Sequence, residues 1–126
     1  MRAVDTNVLV RLLARDDPKQ LAAAESFVRA GAWVSHLVLM EAIWVLDSVY
    51  GVAPARIAAA VELLLHHETL AVQDADVVAA ALSTRKQNPK VGLPDCLILE
   101  TARKAGHVPL GTFDRDLGKV EGAKRL

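Results

Sequence analysis

Short apolar stretches alternate with longer runs of helical periodicity along the whole chain, and this alternation narrows the possible folds more than any other feature. Ala3-Val4 reads as a short buried strand ending at Asp5-Thr6-Asn7, and Val8 to Ala14 reads as a helix with Val8, Leu9, Leu12 and Leu13 apolar. Asp17-Pro18 marks the next helix start, because Asp caps free N–H groups and proline suits the first helical position. That helix carries Leu21, Ala24, Phe27 and Val28 and ends near Gly31. Ala32 to Ser35 is a second strand. His36 to Tyr50 is a helix apolar almost all round, which predicts a place at the centre of the core. Further helices are expected from Ala53-Pro54 through Leu65, from a cap at Asp74 through Leu82, and from Pro94 to Gly106. Leu70 to Val72 and Val108 to Leu110 are expected strands, Gln87 to Gly92 a polar loop, and Ala123 to Leu126 an edge strand. Strands separated by helices pair in parallel, with both faces of the sheet covered. The class expected is α/β, with a central parallel sheet of four to five short strands.

At 126 residues the chain is expected to form one domain spanning residues 1–126. A domain of that size buries about two-thirds of the surface its unfolded chain exposes. Apolar residues make up 52% of the chain but aromatics only 4%, so the core is built from Leu, Val, Ile and Ala. The single cysteine, Cys96, excludes an intrachain disulfide and points to a reducing, cytoplasmic setting. No signal peptide is expected, because Asp5 and Arg11 interrupt any apolar run near the start. The longest apolar run, Leu37 to Leu46, is broken by Glu41 and too short to span a membrane. Fifteen Lys and Arg balance fifteen Asp and Glu, which is not the strongly basic signature of a dedicated nucleic-acid binder. If several acids are gathered in one site, however, the remaining surface is mildly basic. Arg85, Lys86 and Lys90 lie close in sequence, as do Arg115, Lys119, Lys124 and Arg125; each group also reads as ordinary solvated charge.

Four acids stand where ordinary explanations are strained. Asp5 ends the first strand and Asp114 follows the fourth by a few residues. Ligands of open parallel sheets bind outside the carboxyl ends of the strands, so both acids are expected at one edge. Glu41 has Leu37, Val38, Trp44 and Val45 as its neighbours one helical turn away. It is therefore expected to be shielded from water or at the boundary, as a metal or catalytic group, a partner of a buried Arg, or an acid at the core's edge. Asp95 follows Pro94 at a helix start, where a plain N-terminal acid is the competing explanation. Thr6, Asn7 and Thr112 add short polar groups that either hold carboxylates and phosphates or serve as turns and caps.

Carboxylates brought together repel one another and rise in pKa, and a divalent cation relieves the repulsion. Oxygen ligands without His or Cys spacing favour Mg²⁺ or Mn²⁺ over zinc. His66 and His67 are adjacent and cannot share one helix face, and His36 and His107 have no partner spacing. Carboxylate-bound Mg²⁺ suits phosphate chemistry, where it activates water and neutralises developing charge.

The opening, Met1-Arg2-Ala3-Val4-Asp5-Thr6-Asn7-Val8-Leu9-Val10-Arg11-Leu12-Leu13, resembles that of the PIN-domain toxins of the VapC family. Glu41 in an apolar helix, Pro94-Asp95-Cys96-Leu97-Ile98 and Thr112-Phe113-Asp114-Arg115-Asp116-Leu117 follow in the same order, so the resemblance covers nearly the whole chain. It implies a three-layer α/β/α fold, Mg²⁺- or Mn²⁺-dependent endoribonuclease activity on RNA, a homodimer and a cognate antitoxin that blocks the site. It also implies that Asp5 and Asp95 are the main metal ligands, that Asp114 completes the site or acts through water, and that Glu41 ligates the metal or orients the attacking water. Asp116 is a secondary acid, and Thr112 orients Asp114 or the scissile phosphate. The chain departs from the family pattern around Asp95, where Leu93-Pro94 and Cys96 replace small residues and affect where the helix starts.

Competing readings fit less well. A haloacid-dehalogenase-type phosphatase needs a second Asp where this chain has Asn7, and a receiver domain needs an acidic pair closer to the first strand than Asp16-Asp17. A non-catalytic PIN-fold module for binding or dimerisation is the alternative from another class, and the intact acids argue against it.

Overall fold

Side-chain caps set the starts of the first three helices. Asp5 adopts an extended backbone and its carboxylate accepts the Val8 N–H at 3.1 Å, so the first helix, α1, spans Thr6–Ala14. Asp17 accepts from Gln20 N at 3.0 Å, Pro18 occupies the first turn, and α2 spans Pro18–Val28. Ser35 caps α3 (His36–Ser48) through Val38 N. The fourth helix, α4 (Pro54–Leu65), has proline in its first turn and no side-chain cap. The computed structural model describes residues 1–126 and divides into two compact units, Met1–Ala75 and Asp76–Leu126.

In the first unit, β1 (Arg2–Ala3), β2 (Ala32–Val34) and β3 (Leu70–Val72) form a parallel sheet in the order β1-β2-β3. Arg2 pairs with Ala32 and Ala3 with Trp33, while Ala32, Trp33 and Val34 pair with Leu70, Ala71 and Val72. Gly31, at φ +99°, turns the chain into β2 in a conformation that glycine alone adopts without strain. Leu9, Val34, Leu39 and Val61 are fully buried. Arg11 joins α1 to its neighbours: its guanidinium donates to Asp16 at 3.1 Å and to the Tyr50 hydroxyl at 2.7 Å, and Tyr50 donates to Asp16 at 2.9 Å.

In the second unit, α5 (Ala75–Gln87, of which Ala75 belongs to the first unit) and α6 (Leu93–Lys104) precede β4 (Leu110–Thr112), a 3-10 turn at Leu117–Lys119 and β5 (Ala123–Arg125). The two strands pair in parallel, with Leu110 opposite Ala123 and Thr112 opposite Arg125. Val78, Cys96 and Leu99 are fully buried.

The five strands match the number expected but fall into two ladders, one of three strands and one of two. The fourth strand starts at Leu110, two residues later than the apolar run suggests, because Pro109 has no N–H to give a ladder. The expectation for α3 also needs correction. Leu39, Ala42, Ile43 and Leu46 are buried, but Leu37 is 84% and Trp44 62% exposed, so one face of this apolar helix lies open. Helical composition does not reveal which apolar residues find neighbours; α1 and α4 pack on α3 and leave its other side open.

Candidate functional site

Asp5 follows the buried Val4 at the carboxyl end of β1, as expected from sequence. The residue is exposed, and one carboxylate oxygen is used in capping α1 while the other has no hydrogen-bond partner. Thr6, half-buried, opens α1, and the exposed Asn7 follows it. Asp5, Asn7, Val8, Arg11, Gln20 and Phe27 border a cavity of about 380 Å³ between α1 and α2. Glu41 lies on α3 and is exposed, so of the alternatives the sequence leaves open it is the acid at the core's edge that reaches solvent, and it is not shielded by its apolar neighbours. Leu37 and Trp44, one turn away on either side, are themselves in water. Its carboxylate forms no ion pair, so the buried-pair explanation also lapses.

In the second unit, α6 begins at Leu93 with Gly92 as its cap residue. Proline is thus the second helical residue and Asp95 the third, one position deeper than a start at Pro94 would give. Asp95 is half-buried and accepts no hydrogen bond. Burial, followed by the charge of Asp114, raises its pKa above the ordinary aspartate value. This mutual influence is the part of the predicted acidic cluster that the second unit displays.

Asp114 is held by three hydrogen bonds. Its N–H donates to the Thr112 hydroxyl at 3.0 Å, its carboxylate accepts Leu117 N at 2.7 Å, and its carbonyl accepts Gly118 N at 3.0 Å. Thr112 therefore positions Asp114 through the backbone. Asp116 is half-buried, immediately before the 3-10 turn, and its side chain caps nothing. Within neither unit do three or more His, Cys, Asp or Glu side chains gather into a metal-binding group. A pair of oxygen donors, one of them lacking any hydrogen bond, is a donor set suited to a hard divalent cation.

Sequence reasoning passed over Glu100, whose 7% exposure makes it the one buried charged residue. It accepts the Thr84 hydroxyl at 3.0 Å and Arg103 Nε at 3.0 Å, and Arg103 also donates to the Glu121 carbonyl at 2.7 Å. The signal was present: an acid and an arginine three residues apart on one helix, beside Leu97 and Leu99. Its satisfied hydrogen bonds give it a structural role. Burial pushes the neighbouring Cys96 thiol up to about 11, so it is a poor nucleophile. No helix is long and apolar enough to cross a membrane.

Compared with known proteins, the chain matches the family model described as PIN domain over residues 2–123. No curated protein matches it. The six helices and parallel strands agree with the three-layer α/β/α class of that fold.

Proposed function

Because the chain belongs to the PIN domain family, a nuclease-type fold whose members generally use divalent metals, we propose that it is a Mg²⁺- or Mn²⁺-dependent endoribonuclease acting as one domain and serving as the toxin of a toxin–antitoxin pair. The observation that carries this reading is Asp95. A half-buried carboxylate with no donor, raised in pKa by burial and by Asp114, is unfavourable for the protein alone and favourable once a cation is bound. Asp76 shows the contrast: Lys104 donates to it at 3.0 Å and holds its pKa below the ordinary value.

In this reading Asp5, Asp95 and Asp114 supply metal ligands, Glu41 orients the attacking water, and Asp116 is a reserve acid. When bound, the cation supplies a more acidic water and neutralises charge on the phosphate. Asp114 reaches the site in a fixed rotamer because Leu117 N holds one oxygen. Thr112 fixes the backbone on which Asp114 stands. The partners proposed are RNA as substrate, a second copy of the chain and an antitoxin, in a cytoplasmic setting. A cavity of about 540 Å³ supports the antitoxin reading: Leu12, Leu13, Val28 and Leu64 border it together with the 73% exposed Leu63. Arg15, Glu25, Arg29 and His67 also line it, and apolar side chains mixed with charged ones suit the face of an amphipathic partner helix.

The test is cleavage of single-stranded RNA with Mg²⁺ or Mn²⁺. Expected are 5′-phosphate and 3′-hydroxyl ends, no cleavage in EDTA, and no cleavage by Asp95→Asn. Cleavage that persists in EDTA with 2′,3′-cyclic ends refutes the mechanism. A correctly folded protein with no metal-dependent cleavage of any RNA favours the non-catalytic binding module instead.

A further inference from the structure

The loop that presents Asp114 also presents Phe113, which is 81% exposed. The chain has two phenylalanines, and the other, Phe27, carries the Arg2 guanidinium 4.1 Å from its ring centre. Phe113 has no such partner. Its ring is nonetheless not on a loose tether. The residues on both sides are fixed, Thr112 in β4 and Asp114 by hydrogen bonds to Thr112, Leu117 and Gly118. A large apolar side chain is thus held in water, immediately beside Asp114, the acid proposed as a metal ligand.

The charges around it point to the kind of partner. Arg115, Lys119, Lys124 and Arg125 are all exposed, and none pairs with a carboxylate. Gly118 brings two of their segments together: a Cβ there would lie 2.7 Å from Arg125 Cβ, so the 3-10 turn packs directly on β5. The acids of the same stretch are Asp114, Asp116 and Glu121. An exposed aromatic ring among unpaired cations is the chemistry that single-stranded nucleic acid binders use, with rings for bases and cations for phosphates.

We infer that Phe113 is a stacking platform for one unpaired nucleobase next to the scissile phosphate, and that Arg115, Lys119, Lys124 and Arg125 hold the flanking phosphates. This inference rests on the nuclease reading and assigns positioning residues to it. Stacking on the ring sets which phosphate is presented to Asp114, so Phe113 fixes the register of the cut.

The experiment measures binding of a fluorescein-labelled single-stranded RNA by anisotropy in EDTA, using the parent strand and a series with one abasic residue moved along it. Wild type, Phe113→Ala and Phe113→Trp are compared. Phe113→Ala is expected to weaken parent-strand binding about tenfold, within the range measured for base–aromatic stacking, with an unchanged melting temperature, while Phe113→Trp retains binding. An abasic residue at one position is expected to weaken wild type by a similar factor and Phe113→Ala no further. Replacing both Lys124 and Arg125 with Gln should reduce the salt slope of log K by about 1.4. Equal binding by wild type and Phe113→Ala, equal abasic penalties in both, or no RNA binding at all overturns the inference. Coupling between Phe113 and one base without metal-dependent cleavage supports the platform and refutes the nuclease reading. Metal-dependent cleavage without coupling does the reverse.

Discussion

Asp5 has two roles to separate, and the structure supplies the means. One carboxylate oxygen caps α1 by accepting Val8 N at 3.1 Å, and the proposed function places the same side chain on a metal. Asn caps helices as well as Asp does, whereas Ala does not cap, and losing a cap costs about 1 kcal/mol. Asp5→Ala should therefore lose about 1 kcal/mol in EDTA. With unfolding entropy of about 2.1 cal/mol/K per residue, that is roughly 4 °C for a chain of this length. Asp5→Asn keeps the cap and loses only the interaction of its charge with the helix dipole, worth about 0.3–1 kcal/mol for an exposed group. With the cap kept, Asp5→Asn should melt within about 2 °C of wild type. Both variants should lose RNA cleavage.

The assay is thermal melting of the three proteins in EDTA and again in millimolar Mn²⁺, alongside cleavage. Mn²⁺ should raise the wild-type midpoint by mass action and the variants' midpoints much less. If Asp5→Ala melts with wild type, the cap contributes nothing and the structural half of the argument fails. If Asp5→Asn still cleaves RNA in a metal-dependent way, Asp5 is a cap alone and the site must be assembled from other acids.

Two further outcomes follow from the second unit. The folded-state pKa of Asp95 is raised by burial and by Asp114, so its ionised form costs stability above the ordinary aspartate range. Wild type and Asp95→Asn should show a difference in stability that grows in favour of the variant as pH rises from the unfolded pKa through the folded one, checked by urea denaturation in EDTA from pH 3 to pH 7. Glu100→Ala should cost about 2–3 kcal/mol, because it leaves the Thr84 hydroxyl and Arg103 without their charged partner; Glu100→Gln should cost less, and urea denaturation at pH 7 ranks the two.

The sequence carries most of the element boundaries because they depend on local chemistry. Asp17-Pro18 and Asp5 cap as their residue types dictate, and Gly31 turns the chain before β2. What it does not carry is long-range. Leu37 and Leu39 are the same residue type two positions apart on α3, yet one is 84% exposed and the other fully buried. Only the placement of the helices packed on α3, α1 and α4, separates them, and no window along the chain contains that information. The alternatives for Glu41 stay open in the sequence for this reason: apolar neighbours on a helix shield an acid only if something covers them in turn, and Leu37 and Trp44 are exposed. Glu100 is the converse, an acid that looks ordinary among Leu97, Leu99 and Thr101 and is buried because Thr84 and Arg103 satisfy it. Asp95 lies between the two. Its helical position could be read to within one residue from Pro94, but its lack of any donor could not be read at all. A carboxylate's partners are supplied by the fold, and a metal site is legible in sequence only as a set of acids in order. Which of those acids the protein pairs, as it pairs Glu100, and which it leaves without a donor, as it leaves Asp95, is visible only in three dimensions.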